Sequence, residues 1–162
     1  MTDLPIAEVN ETRWLDASQQ QAWRSFLGGT TVLMDRLDRD LRSEHGLSMS
    51  EYEILVRLSE APDRSIRMAD LAAALSHSRS RITHTISRLE RDGIVQRVQC
   101  DTDGRGVTAV LTDKGFDLLA TAAHTHVRGV RDYLIDRASP EDLAALGRVM
   151  SAVQEAIGGR RF

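Results

Sequence analysis

A chain of 162 residues, 41% of them hydrophobic, is long enough for one compact domain with a buried core, and its formal net charge of −3 argues against indiscriminate attraction to polyanions. Its one cysteine, Cys100, excludes an intramolecular disulfide and suits a reducing cytosol. No apolar run approaches the roughly 18 residues that a spanning helix needs, and the N-terminus has no basic-then-apolar leader pattern, so a cytoplasmic protein with no membrane association is expected.

Residues 1–11 are polar and uncapped, and a mobile N-terminus is expected there. Trp23, Phe26, Leu27, Thr30, Leu33, Met34, Leu37 and Leu41 then recur at helical spacing, with Asp35, Arg36, Asp38, Arg39 and Asp40 on or beside the other face. The spacing predicts a long amphipathic helix. Gly28-Gly29 interrupts it at about 1 kcal/mol per glycine relative to alanine, which suggests a bend or a close helix crossing. A phosphate-binding loop is excluded, because no strand precedes these glycines and no Lys-Ser/Thr follows. Ser48 and Glu51 have the spacing of a capping box for the next helix, whose face is Tyr52, Leu55, Val56 and Leu58. Pro62 and Asp63 break the chain after it.

Met68, Leu71, Ala72 and Leu75 form another short helical face, and Ser76-His77-Ser78 makes a polar joint to a further helix. In that helix Ile82, Ile86 and Leu89 share the buried face. The opposite arc carries Ser80, Thr83, His84, Ser87 and Arg91, flanked by Arg81 and Arg88, with Arg79 in the first turn. Between Ser78 and Arg91 stand four arginines against one glutamate, so the local field is positive although the chain is acidic. Serine, threonine, histidine and arginine hydrogen-bond to base edges and phosphates, and an α-helix fits the major groove.

Gly93 follows where a left-handed C-cap is expected. Ile94 to Val98 and Val107 to Leu111 then suit half-buried strands around a turn-rich segment, a hairpin with Arg105 near its tip. Cationic side chains on projecting hairpins suit phosphates or the minor groove. Thr112 caps a helix with Phe116, Leu119, Ala123, Val127, Val130 and Leu134 on its apolar face. Ser139-Pro140-Glu141-Asp142 opens the last helix, whose face is Leu143, Leu146, Val149, Met150, Val153 and Ile157. Apolar stripes on long terminal helices need cover, and a second subunit is the simplest.

Helix, turn, helix, strand, turn, strand is the order of a winged helix-turn-helix. From about Leu47 to Gly115 the chain resembles the MarR family of bacterial regulators, most closely in Met68 to Ala72, Ser78 to Val95 and Asp103 to Gly115. The last stretch is similar to the family's wing and its Leu-Thr-x-x-Gly helix start. The resemblance implies a mainly α fold with a small β-hairpin wing, a winged helix-turn-helix flanked by long dimerisation helices. The implied organisation is a mobile N-terminus at 1–11, an N-terminal dimerisation region at 12–46, a DNA-binding domain at 47–112 and C-terminal dimerisation helices at 113–162. It further implies a homodimer on a pseudo-palindromic double-stranded DNA operator, acting as a repressor relieved by a small-molecule effector. Ser78, Arg79, Ser80, Arg81, Thr83, His84, Ser87 and Arg88 would read DNA, Arg105 would reach the minor groove, and Asp103 would brace the wing. The chain departs from the family at Gly104, commonly a second arginine, and at His84, often basic.

By the same resemblance, the effector would be a small anionic aromatic or other lipophilic compound. Trp14, Trp23, Phe26 and Tyr52 are available as walls, but aromatics at helical spacing are ordinarily packing, and none is assigned to a ligand. Cys100 reads as a small residue at the wing base, because neighbouring Asp101 and Asp103 disfavour its thiolate. His124 and His126 diverge by roughly 200° on a helix and cannot join His45 and Glu44 around one metal ion. No cofactor is called for. No nucleophile-base pair or nucleotide fingerprint points to an enzyme, and the competing reading is a winged-helix protein-interaction module without specific DNA recognition.

Overall fold

The computed structural model describes residues 12–75, 78–99 and 106–158. The expected mobile N-terminus, the middle of the helix-turn-helix joint, and Cys100, Asp103 and Arg105 lie outside them. Two units are distinguished, Met1–Val32 and Leu33–Phe162.

In the first unit the chain enters helix α1, Ala17–His45, through a reciprocal cap. The Gln19 amide donates to Asp16 Oδ1 at 2.8 Å, and the Asp16 amide donates to Gln19 Oε1 at 3.1 Å. The Trp23 and Phe26 rings stack at 5.9 Å and stay exposed. Helix α1 continues without interruption through Gly28-Gly29, and a Cβ at either glycine would meet nothing within 4 Å. Neither glycine therefore marks a close crossing among the described residues.

In the second unit, Leu37 and Leu41 are the buried positions of α1, and Asp35–Arg39, Arg36–Asp40 and Asp38–Arg42 pair along its surface at i, i+4. Helix α2, Met49–Glu60, begins with the expected box: Ser48 and Glu51 each accept the other's backbone N–H. Helices α3, Met68–Ala74, and α4, Arg79–Arg91, follow. Gly93 at φ +70° closes α4, where its amide donates to Glu90 O and the Ile94 amide to Leu89 O, the paired bonds of a Schellman ending.

Strands β2, Val95–Gln99, and β3, Val107–Leu111, pair antiparallel with Gln99 opposite Val107. The sequence reading lacked a third strand. Strand β1, Ser65–Arg67, pairs with β3 to give the order β1-β3-β2. It emerges from a turn in which Asp63 and Arg64 both take positive φ, a strained conformation for residues with a Cβ. Arg64 is held there by Asp113 at 3.0 Å and by the Phe116 ring 4.0 Å below its guanidinium carbon.

Helix α5, Asp113–Tyr133, is capped by Thr112, whose hydroxyl accepts from the Gly115 amide at 3.0 Å. Its buried seam is Gly115, Leu119, Ala122, Thr125 and Gly129, which shifts the expected face: Phe116 and Val127 are exposed. The close approach to α1 is made at Gly129, where a Cβ would stand 2.8 Å from Leu37 Cδ2. Polar contacts run beside it, with Tyr133 Oη donating to Asp40, Thr125 Oγ1 to Glu44 Oε2, and Arg128 to Glu44 Oε1. The Thr125 and Arg128 bonds hold the Glu44 carboxyl below the usual glutamate range. Helix α6, Pro140–Ala156, has no buried residue. One apolar core joins α2, α3, α4, the sheet and α5 through Leu55, Leu58, Leu71, Ile86, Val95, Ala109 and Leu119. No helix among the described residues is long and apolar enough to cross a membrane.

Candidate nucleic-acid interface

Helix α4 starts at Ser78, whose hydroxyl accepts the Arg81 amide at 3.3 Å. Ile82, Ile86 and Leu89 are each at most 1% exposed and seat one side of the helix in the core. That seating fixes the opposite side. Ser78, Arg79, Ser80, Arg81, Thr83 and His84 are all exposed, and together they cover the first two turns.

The first turn holds no acidic residue, so the arginine charges add to the positive end of the helix dipole. Thr83 Oγ1 donates to the Arg79 carbonyl at 2.9 Å, and Ser87 Oγ donates to the Thr83 carbonyl at 2.9 Å. Each hydroxyl proton is thereby spent within the helix, while the oxygen keeps lone pairs that can accept from a base amino group or a water. The Arg81 guanidinium also donates to Ser50 Oγ at 3.3 Å, which steadies a long side chain without neutralising it.

Further along, the expected group divides. Ser87 and Arg88 are only half-buried, not free, and Arg88 meets Glu51 of α2 through Nε at 2.5 Å and through Nη2. Ser87 and Arg88 are therefore less open to solvent than the six exposed residues. The sequence reading missed Glu51 and Ser50 as partners of α4, because neither lies near α4 in the chain and a capping box already accounted for Glu51.

A cleft of 350 Å³ adjoins the exposed turns, lined by Arg67, Met68 and Ala69 at the start of α3, Arg79 and Thr83 of α4, and Arg97, Gly106 and Val107 of the hairpin. Three arginines thus line one opening. Arg97 is braced by Glu90, which accepts from Nε at 2.9 Å and Nη2 at 2.6 Å, and this hydrogen bonding holds the Glu90 carboxyl below its ordinary range. Arg67 and Arg97 were not anticipated from the sequence, since strand pairing across β3 brings them beside α4. Asp103 and Arg105 lie in the segment between β2 and β3, outside the described residues.

The histidines among the described residues do not converge. His45 Nε2 lies 2.8 Å from Thr125 Oγ1, His124 is exposed, and His126 lies tilted against Tyr52 with ring centroids 4.6 Å apart. Among the described residues no group of three or more His, Cys, Asp or Glu side chains could hold a metal ion.

Residues 47–107 match the model of the MarR family. A MarR family transcriptional regulator from Streptomyces coelicolor, Sco3205, crystallised in complex with DNA, is 42% identical with a TM-score of 0.87, covering 91% of this chain and 92% of its own. AbsC, a MarR family transcriptional regulator from the same organism, is also 42% identical with a TM-score of 0.86, covering 92% of this chain and 100% of its own. The HTH-type transcriptional regulator PecS of Dickeya dadantii is 34% identical over 128 residues, 76% of each chain.

Proposed function

The chain belongs to the MarR family of winged helix-turn-helix transcription regulators, and on that premise we propose that it is a homodimeric repressor of a pseudo-palindromic operator, relieved by a small aromatic or lipophilic effector. The observation that carries the reading is the exposed start of α4, where Arg79, Arg81, Thr83 and His84 stand opposite the buried Ile82, Ile86 and Leu89. In the major groove these side chains meet base edges and phosphates. By the family resemblance Arg105 would reach the adjacent minor groove and Asp103 would brace the wing by pairing with a nearby arginine; both lie outside the described residues.

Dimerisation is assigned to the regions 12–46 and 113–162. Trp23, Leu27, Val149, Val153 and Ile157 support it, because these apolar side chains on terminal helices are exposed in the single chain. A two-fold axis would set two copies of α4 on successive major grooves about 34 Å apart. Repression follows from occupying promoter DNA. An effector relieves it only by binding the DNA-incompetent spacing more tightly than the competent one.

Footprinting of DNA flanking the protein's own gene, across a salt series and against a scrambled duplex, tests the reading. A protected pseudo-palindrome with preference surviving at physiological salt is the expected result. Equal, salt-labile binding to both duplexes would remove specific recognition, and binding to neither would leave the protein-interaction module as the better account.

A further inference from the structure

Glu51 has two carboxylate oxygens and two tasks. Oε2 completes the capping box of α2, accepting from the Ser48 amide at 2.9 Å and the Ser48 hydroxyl at 2.8 Å. Oε1 takes no part in the cap. With Glu51 only 1% exposed, that oxygen needs a partner, and Arg88 of α4 supplies it through Nε at 2.5 Å and through Nη2.

Arg88 lies seven residues beyond Arg81, on the same side of α4, and Arg81 donates to Ser50 in the same first turn of α2. Two polar ties thus fasten one stripe of α4 to one turn of α2. Ile82, Ile86 and Leu89 seat α4 in the shared apolar core, an attachment that is non-directional and so tolerates a small roll or slide. A forked guanidinium on a buried carboxylate does not tolerate it, because both donors lose their geometry at once.

We propose that Glu51 is a positioning residue for DNA recognition: through Arg88 it sets the roll of α4 and hence where Arg79, Arg81, Thr83 and His84 point. Arg88 acts on Glu51 and not on a phosphate. The proposal rests on the DNA-reading function above and refines which arginines touch the operator.

The test measures binding to the footprinted operator by fluorescence anisotropy across a salt series, for the wild type, E51Q, R88Q, R88K and the double variant E51Q/R88Q. Each single variant is expected to weaken operator binding about tenfold, with the double variant no weaker than either single one, as expected for groups acting as a unit. The slope of log affinity against log salt should stay at the wild-type value, since no phosphate contact is lost. R88K decides the point even where E51Q does not fold. Lysine keeps the charge a phosphate needs but not the fork a buried carboxylate needs, so loss of affinity at unchanged slope is expected.

Full affinity in R88K, or a slope reduced by about one in R88Q, would overturn the proposal and return Arg88 to the phosphates. Tighter binding by E51Q would do the same, as a cation freed for DNA. A wild type that fails to prefer the operator over the scrambled duplex would sink the DNA-reading function itself, and is distinguished by needing no variant.

Discussion

Gly115 lies so close under the carbonyl of Ile94 that a Cβ on it would stand 2.2 Å from the oxygen and 2.7 Å from Leu111 Cδ1. The carbonyl is not free to move away, for it accepts the Thr112 amide at 3.1 Å and the Thr112 hydroxyl at 3.0 Å. The start of α5 is thereby set directly against the turn that ends α4. Gly115→Ala is expected to destabilise the fold by about 1–3 kcal/mol through overpacking, seen as a lower urea midpoint at unchanged m-value. A wild-type midpoint would mean that α5 can slide along its axis without cost.

The elements that could be read from the sequence are those whose signals are local. Ser48 with Glu51, Ser78, Thr112 and Ser139 each accept a backbone N–H at their helix start, because a short hydroxyl next to a free amide acts over three residues of chain. Strand β1 could not be read this way: Ser65-Ile66-Arg67 is too short to show an alternation, and its partner strand β3 lies more than forty residues on. The face of α5 was displaced for a different reason. Apolar periodicity favours Phe116 and Val127, whereas the packed seam uses Gly115, Thr125 and Gly129, small residues that admit a neighbouring helix or carbonyl. Within the interface, the exposed turns of α4 followed from its buried triad, but the partner of Arg88 is 37 residues away in sequence, at Glu51.

The first turn of α4 makes separable predictions for its two arginines. Arg79 is exposed at the rim of the cleft, so Arg79→Ala should weaken binding to operator and scrambled duplexes alike and lower the salt slope by about one. Arg81 stands one position before the buried Ile82 and is steadied by Ser50. Arg81→Ala should abolish the preference for the operator while leaving weak nonspecific binding. Undiminished preference in the Arg81 variant, measured by competition between the two duplexes, would remove its role in reading sequence.

His126 gives the fold a pH dependence near neutrality. Its ring lies tilted against Tyr52, its Nδ1 is buried with no hydrogen-bond partner among the described residues, and burial holds its pKa below the ordinary histidine value. Above about pH 6.5 the ring is neutral both folded and unfolded, and stability is at its full value. As the pH falls from there toward the lower folded value, the unfolded chain takes up the proton first and stability drops. Glu44 and Glu90, whose folded pKa values are depressed, contribute stability above about pH 4.3 that is lost only at lower pH. Thermal melts between about pH 7.5 and 5.5 should therefore show a fall in Tm for the wild type that shrinks in His126→Phe. An identical fall in the two proteins would assign the effect elsewhere.

Helix α6 tests the dimer most directly. Leu146, Val149, Val153 and Ile157 are 39%, 56%, 46% and 77% exposed, and an apolar stripe with no cover among the described residues costs solubility unless a partner hides it. Glutamate at Val149 and Val153 leaves the helix free to form in one chain, because neither position is buried there. It places unpaired charge in the middle of an interface built from this face. The double variant is expected to sediment at half the mass of the wild type, to keep its helical circular dichroism, and to lose operator binding at concentrations where the wild type saturates, since one recognition helix alone reads a half-site. A variant that still sediments with the wild type would move the subunit contact off α6, leaving the exposed aromatic face of α1 as the surface to test next.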